Sequence, residues 1–512
     1  MSKIINNIVI IGGGAAGWLT AGLLAKEHPH LHITLIESAD IGISGVGEGT
    51  WPSMRNTLQR IGVKETDFLR QCDASFKQGS KFINWRGEQQ GDNYYHPFMI
   101  PEGYYEYDVH AAWKQLFSHQ KYADAMNMQS FICQAALAPK QINTPQYAGV
   151  TNYGYHLDAH KFARFLTQHC VNTLNVKHIV DNVICANNDE QGYIKSVSTQ
   201  HNGAITGDLF IDCSGSQGLL IAKHYQIPFL DQSHILFNNT AVAAQIPYES
   251  QSQNIASATL STAQSAGWIW DIGLPTRRGI GYTFSDKYCD EASAIETLKS
   301  YAAQTIGTQQ ADTIETRTLR FTPGYREIFW HKNCVAIGMS QGFIEPLEAS
   351  ALAMVELSIS MLSEQMPVDQ DHMQLLSTRF NKRFKYRWEQ VINFLKLHYV
   401  LSNRDDNGYW HANRNPNSIP LELQNLLTLW QYQAPSRFDL VENEEIFSSA
   451  SYQYVLYGMG FETSLTTKLD GQKCHKAEQL YQLNRNKIAQ YLQKLPTNRL
   501  LLEQLQGSKV AT

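Results

Sequence analysis

An α/β fold organised around a parallel, dinucleotide-binding sheet is predicted by three features: an N-terminal strand–glycine turn–helix–strand unit, two later strand-to-glycine segments, and a helix-patterned C-terminal stretch. The first lies in "IINNIVIIGGGAAGWLTAGLLAKEHPHLHITLIES". An apolar strand runs into Gly12, Gly14 and Gly17, spaced as G-x-G-x-x-G; a helix with small inward residues follows, and a second apolar strand ends at Glu37, twenty residues past Gly17. Glycine at these places permits a tight turn, close approach of backbone to a pyrophosphate, and close helix–strand packing. A carboxylate at the end of the second strand accepts ribose hydroxyls, which favours an adenine dinucleotide without a 2′-phosphate.

The second feature is the pair "TGDLFIDCSGSQGLL" (206–220) and "NCVAIGMSQGFIEPLEAS" (333–350). Two-domain flavoproteins return to the dinucleotide with such late segments, and the last delivers a helix N-terminus whose dipole can stabilise negative charge on reduced flavin. Within it, Pro346 suits the first helical position and Glu348 falls in the first turn, so the acid also has an ordinary reading as a helix-start residue.

Between these segments, "SGVGEGTWPSMRNTLQRIGV" reads as a glycine-rich loop entering an amphipathic helix. Residues 86–150, rich in Tyr, His, Gln and Pro with little periodicity, read as substrate-facing loops. "YGYHLDAHKFARFLTQHCVNTL" reads as a helix leading to strands near 177–212. His156 and His160 stand four apart on it, without the third ligand a metal site needs. Residues 230–330 alternate apolar and polar ("AVAAQI", "GWIWDI", "RGIGYTFS", "TRTLRF"), predicting an antiparallel sheet inserted between halves of the dinucleotide domain. From 346 the pattern is helical, interrupted near 402–420 and 433–442. The expected domains are therefore 1–380, carrying the insert at 230–330, and a helical, substrate-covering region at 381–512.

A chain of 512 residues exceeds what one core serves. A net charge of −5 without a basic cluster argues against nucleic acid, and no apolar run reaches the roughly 18 residues of a membrane span. The eight cysteines lack zinc or dithiol spacing, and the N-terminus enters a strand without a signal-peptide pattern. A cytoplasmic enzyme acting on small molecules is expected.

"SFKQGSKFINW" (75–85), "GWIWDIG" (267–273) and "EPLEAS" (345–350) now belong with "GGGAAGW" and "GVGEGTWPS". Together with "TNYGYHLDAHKFARFL", "DLFIDCSGSQGLL" and "YVLYGMGF" they resemble the flavin-dependent halogenases of the tryptophan halogenase family over nearly the whole chain. The resemblance implies a flavin monooxygenase-like FAD-binding fold. FAD, used in its reduced form, is expected at Gly12, Gly14, Ala15, Ala16, Gly17, Glu37, Gly47, Glu48, Ser340 and Gly342. The catalytic lysine is expected at Lys77, after Phe76, and not at Lys81; the catalytic glutamate is expected at Glu348. Chloride or bromide is expected near Ser350 and Ala351, and an aromatic, indole-like substrate near His96, Phe98, Trp268, Trp270, Glu442 and Phe447.

The chemistry explains why such residues are needed. Aromatic carbon is a weak nucleophile and halide no electrophile, so the halide must first lose two electrons, which reduced flavin and dioxygen can accomplish. The resulting hypohalous acid is small and diffusible. Lys77 can hold the halogen by hydrogen bonding or as a haloamine, while Glu348 stabilises the arenium cation and removes its proton. Without the resemblance, Lys77 would read as a solvated surface lysine, and Trp268 and Trp270 as sheet core.

Three departures stand out: Gly273 replaces the proline ending the family's W-x-W-x-I-P signature, Ala349-Ser350-Ala351 replaces Ser-Thr-Gly, and no tyrosine pair precedes Glu442 and Phe447. The first bears on local stiffness and the second on halide choice, while the third points away from free tryptophan as substrate. No second dinucleotide fingerprint is visible, so the resemblance implies a separate NAD(P)H-dependent flavin reductase; a homodimer is allowed by this reading. The rivals are an FAD-dependent aromatic hydroxylase and a non-catalytic flavin-binding protein, which halide dependence separates from a halogenase.

Overall fold

The computed structural model describes residues 4–42, 47–87, 91–441, 445–464 and 468–507. Contacts divide the chain into two compact units: residues 1–73, 157–232 and 321–389, and residues 74–156, 233–320 and 390–512.

In the first unit the strand Asn7–Ile11 lies inside a six-stranded sheet. Its run of Ile and Val suits a strand buried on both faces. His32–Glu37 and then Lys177–Val180 follow on one side, Leu209–Asp212 and then Cys334–Ala336 on the other, all parallel, with Trp330–His331 antiparallel at the edge. The order reverses at Asn7–Ile11, and such a switch point opens a ligand crevice at the carboxyl ends of the strands. Val9, Ile11, Ile36, Phe210 and Cys334 form the core on one side. The helix Ala15–Glu27 packs against Ala159–Leu174 and Ser350–Glu364. It is apolar nearly all round because it is covered nearly all round, with Trp18, Leu19, Leu23 and Leu24 fully buried.

The second unit carries the predicted sheet. Seven strands run in the order Thr316–Arg320, Thr240–Ile246, Arg278–Phe284, Gly267–Gly273, Thr259–Gln264, Gly79–Ile83 and Asn93–Pro97. All neighbours are antiparallel except Thr259–Gln264 and Gly79–Ile83. The sheet thus extends beyond residues 230–330, drawing in a strand from the stretch read as loops. That stretch also contains the short helices Val109–Ala112, Tyr122–Met126 and Gln129–Gln134, too brief to show a periodicity. One sheet face is covered by the helix Glu291–Ile306, with Ile269, Ile280, Tyr282 and Phe284 packed on Ala294, Leu298 and Ala302.

The helix Gln370–Val400 contributes residues to both units, and Leu421–Trp430, Ser449–Gly458, Gly471–Lys494 and Asn498–Gly507 complete the second. A further helix, Gly408–Arg414, occupies the region read as a loop near 402–420, where Asn407 caps it by accepting from the Tyr409 N–H. The predicted α/β class, a parallel dinucleotide-type sheet with an antiparallel sheet and C-terminal helices, is the observed one.

Candidate functional site

The glycine turn is packed from within and open outward. Gly12 has φ +116°, and a Cβ there would stand 2.2 Å from the Cys213 carbonyl oxygen. A Cβ on Gly17 would stand 1.9 Å from the Gly12 carbonyl oxygen, so helix and turn touch through hydrogen. At Gly14, in extended conformation at the helix N-cap, a Cβ would meet nothing within 4 Å. Glu37 closes one flank: its carboxylate abuts Gly13, and its Oε1 lies 2.7 Å from His178 Nε2. The late segment arrives through Gly338, φ +78°, where a Cβ would lie 2.8 Å from Ala16 Cβ. An open glycine face at a helix N-terminus, flanked by a carboxylate at a strand end, fits an adenine dinucleotide.

Of the other residues expected at the cofactor, Ser340 turns inward, its hydroxyl donating to the carbonyls of Asp212 and Ile337. Gly342 backs onto the Gly324 carbonyl in a short strand pair. Gly47 and Glu48 are half-buried, and loss of hydration pushes the Glu48 carboxyl up to about 7.

Glu348 does not stand in the first turn of a helix. Leu347–Ala349 forms a single 3₁₀ turn closed by the Ala349 N–H donating to the Pro346 carbonyl, and the α-helix begins at Ser350. Glu348 (φ 63°, ψ 9°) and Ala349 (φ 56°, ψ 41°) are both left-handed. Outside glycine each such residue costs about 1–3 kcal/mol and persists only where its surroundings over-determine it. Here the Trp51 indole N–H donates to the Glu348 carbonyl at 2.8 Å. Glu345, Glu348 and Ser350 are all buried, whereas Ala351 is exposed.

In the second unit Lys77 is 0 % exposed, which removes the reading of a solvated surface lysine. Its Nζ lies 5.3 Å from the centre of the Phe98 ring, a contact worth about 2 kcal/mol when desolvated. The short strand Ser75–Lys77 is fastened on every side. Ser75 Oγ donates to the Gly273 carbonyl at 2.6 Å, Asn498 Nδ2 donates to the Phe76 carbonyl at 3.0 Å, and Gln78 Oε1 accepts from Thr151 Oγ1 at 2.6 Å. Lys81, by contrast, is half-buried beside Tyr95.

His156 corrects the expectation for the histidine pair. It lies in the strand Gly154–Leu157, opposite Ser75, while His160 belongs to the helix starting at Ala159. Asp158, capping that helix by accepting from the Lys161 N–H, separates the two. His156 therefore shares a face with Lys77. Burial, and then the Lys77 charge, hold its pKa well below the usual histidine range, so it is neutral. Among the described residues no group of three or more potential metal ligands occurs.

Trp268 and Trp270 project from the sheet face opposite the helix Glu291–Ile306, their rings 6.2 Å apart and edge-on. Trp270 lies over Gly281, where a Cβ would stand 2.0 Å from its ring, and Trp85 joins Trp268 at 6.3 Å. His96 and Phe447 are brought together through Phe394, whose ring stacks on Phe447 at 3.8 Å and lies 5.7 Å from His96; Tyr454 is 6.1 Å from His96. Phe394, Tyr454 and Trp85 are not among the expected site residues, although Trp85 and Tyr454 lie within the quoted "SFKQGSKFINW" and "YVLYGMGF". Glu442 lies outside the described residues.

These groups make stability depend on pH in a defined direction. Glu48, at about 7, and Glu356, at about 8, hold protons more tightly than an unfolded carboxyl, so stability falls as pH rises through this window. His156, and His110, which burial lowers to about 4, act oppositely, lending stability that is lost on acidification below about 6.5. For the flavin-free protein we expect the melting temperature to peak near pH 6–7 and to decline towards pH 8.5, and the decline to be shallower in Glu356→Gln. Differential scanning fluorimetry across pH 5–9 checks this; a melting temperature still rising from pH 7 to 8.5 would show that these carboxyls are not held protonated.

Fold and turn together define a flavoprotein-type α/β enzyme, with an outward-open glycine turn in one unit and a buried lysine beside an aromatic ring in the other. A family model for tryptophan halogenases matches residues 7–475. Tryptophan 6-halogenase SttH of Streptomyces toxytricini is 31 % identical over 89 % of this chain and 89 % of its own. The crystal structure of a tryptophan halogenase from Shewanella frigidimarina superposes with a TM-score of 0.96 at 48 % identity, covering 98 % of each chain. BrvH, a flavin-dependent halogenase from Brevundimonas, gives a TM-score of 0.85 at 28 % identity over 98 % of this chain and 99 % of its own. The chain belongs to the tryptophan halogenase family and is a flavin-dependent halogenase.

Proposed function

We propose that this enzyme transfers an oxidised chlorine or bromine atom to an aromatic, indole-like small molecule, with Lys77 delivering the halogen and Glu348 taking the ring proton. Reduced FAD, when bound, supplies with dioxygen the two-electron oxidation of halide to hypohalous acid. The Gly12–Gly17 turn, Glu37 and the loop at Gly47 and Glu48 would hold it, with the backbone at Ser340 and Gly342 contributing from the late segment and Ser350 and Ala351 facing the halide. The observation that carries the reading is the complete burial of Lys77 beneath Phe98, in a strand fastened by side-chain hydrogen bonds at Ser75 and Phe76 and followed by Gln78, which Thr151 holds. A buried ammonium is costly to maintain, and its fixed position suits a chain that must catch a small oxidant.

At the substrate a carbon–halogen bond forms as the halogen–oxygen bond breaks, and the departing hydroxide takes a proton from the Lys77 ammonium and leaves as water. The ring proton passes to the Glu348 carboxylate, and its later release through solvent to the lysine balances the turnover. His96, Phe98, Phe447 and the two tryptophans would line the aromatic ring. Relatives act on tryptophan by name, but the lack of a tyrosine pair before Glu442 favours another indole. The electrons would come from a separate flavin reductase. Scattered cysteines, and the absence among the described residues of any helix long and apolar enough to cross a membrane, support a cytoplasmic setting.

The test is to incubate the protein with a flavin reductase, NADH, FAD, bromide or chloride, and a panel of indoles and phenols, and to read halogen isotope patterns by mass spectrometry. Halide-dependent organic halide is the expected result. An oxygenated product formed equally without halide would establish the hydroxylase reading instead.

A further inference from the structure

The helix Ser350–Glu364 carries a carboxyl, Glu356, two turns beyond the Glu348 turn, within the apolar run "ALAMVELSISML". It is buried, yet among the described residues it has no ion-pair partner. Thr57 Oγ1 donates to its Oε2 at 2.5 Å and Ser53 Oγ donates to its Oε1 at 3.0 Å, both from the helix Ser53–Arg60. One turn later Arg60 Nη1 donates to Ser360 Oγ at 2.8 Å. Just before the same helix, Trp51 holds the Glu348 carbonyl. The segment 51–60 therefore grips the segment 348–360 at successive levels, beginning at a strained backbone position.

We propose that Glu356 is a positioning residue for halogenation, clasping the helix Ser53–Arg60 to the helix that follows Glu348 and so, with Trp51, holding the left-handed Glu348–Ala349 turn that aims the Glu348 carboxylate. This rests on the reading of Glu348 as general base. A two-residue left-handed turn relaxes toward helix unless its flanks are fixed, and a shift of about 1 Å in a catalytic group can cost on the order of 100-fold in rate.

The clasp works with a neutral acid, in which one of the two contacts is reversed, the carboxyl O–H donating to the hydroxyl oxygen that faces it. Burial pushes the Glu356 carboxyl up to about 8, against the smaller opposing effect of the two hydroxyls. The charged groups on the helices packed around it collect at the far end of the pair. Arg60 bonds Glu27 there, Ser363 Oγ donates to Glu27, and Glu364 closes the helix; Arg55 turns back to the Pro52 carbonyl. Among the described residues Glu356 has no ion-pair partner, so ionisation leaves a buried carboxylate that only Ser53 and Thr57 address, and it favours parting of the two helices.

The test measures kcat and KM for bromination of an indole by the reductase-coupled enzyme in Glu356→Ala, Glu356→Gln and Thr57→Val, with flavin affinity as a second reading. Thr57→Val keeps the helix packing and removes one donor, so it remains informative if Glu356→Ala does not fold. In Glu356→Ala and Thr57→Val we expect kcat to fall about tenfold with KM and flavin affinity little changed, and Glu356→Gln to retain most activity at pH 7. The wild type should lose kcat above about pH 8, a limb that Glu356→Gln lacks. Thr57→Val and folded Glu356→Ala with kcat within about twofold of wild type would overturn the clasp. Glu348→Gln, run alongside, keeps the two ideas apart: its inactivity with an unaltered Thr57→Val refutes only the clasp, whereas its full activity refutes the general-base reading.

Discussion

Replacing Lys77 by alanine is expected to reduce organic halide formation to below about a thousandth of wild type while FAD still binds, since removal of a single group acting on the reacting atoms commonly costs 10²–10³ or more. Flavin binding survives because Lys77 belongs to the second unit and the glycine cradle to the first. A structural contribution can be separated from a chemical one. Lys77→Met fills the same space beneath Phe98 without a charge to desolvate, so it should fold with an unchanged or higher melting temperature and yet form no product. A methionine variant that halogenates normally would leave the lysine with a packing role only.

Glu348→Gln is expected to lower kcat for halogenation by about 10²- to 10³-fold, the range for loss of a positioned general base, with little change in KM. The amide keeps the shape, and the left-handed turn is held through its backbone by Trp51 and by the Ala349 N–H donating to the Pro346 carbonyl. It cannot accept the ring proton. The loss should therefore appear in kcat, and a deuterated substrate should show a larger isotope effect in the variant, as proton removal becomes slower than halogen transfer. Unchanged kcat in a correctly folded Glu348→Gln would assign the proton to another acceptor.

What could be read from the sequence was what is locally encoded. The glycine turn, its strands and Glu37 follow from adjacent residues, and their geometry in the first unit is that expected of the pattern. The motif around Lys77 singles it out as a candidate, but its burial cannot be read there, because the groups that fix its strand lie far off in the chain: Asn498 bonds Phe76 across 422 positions. The Glu348 turn was misread for the same reason. Pro-Leu-Glu-Ala suits a helix start by local preference, and the left-handed alternative is held by a tryptophan 297 residues away.

His156 was different, because its signal was present. Asp158 is a good N-cap, and a helix beginning after it leaves His156 on the preceding strand beside the lysine. Glu356 also left a trace, an acid inside an apolar helical run matched by Ser53 and Thr57 spaced four apart on another helix. Only the pairing of the two helices makes that trace legible.

The central claim is that oxidised halogen reaches the substrate through Lys77 and not by free diffusion. Its most direct test is a competition between the aromatic substrate and a soluble trap for hypohalous acid, run with wild type and Lys77→Met under reduced flavin, oxygen and bromide. The account predicts brominated substrate and unmodified trap with wild type, and brominated trap without brominated substrate in the variant. Brominated substrate at equal yield from both proteins, suppressed by trap to the same extent, would contradict it.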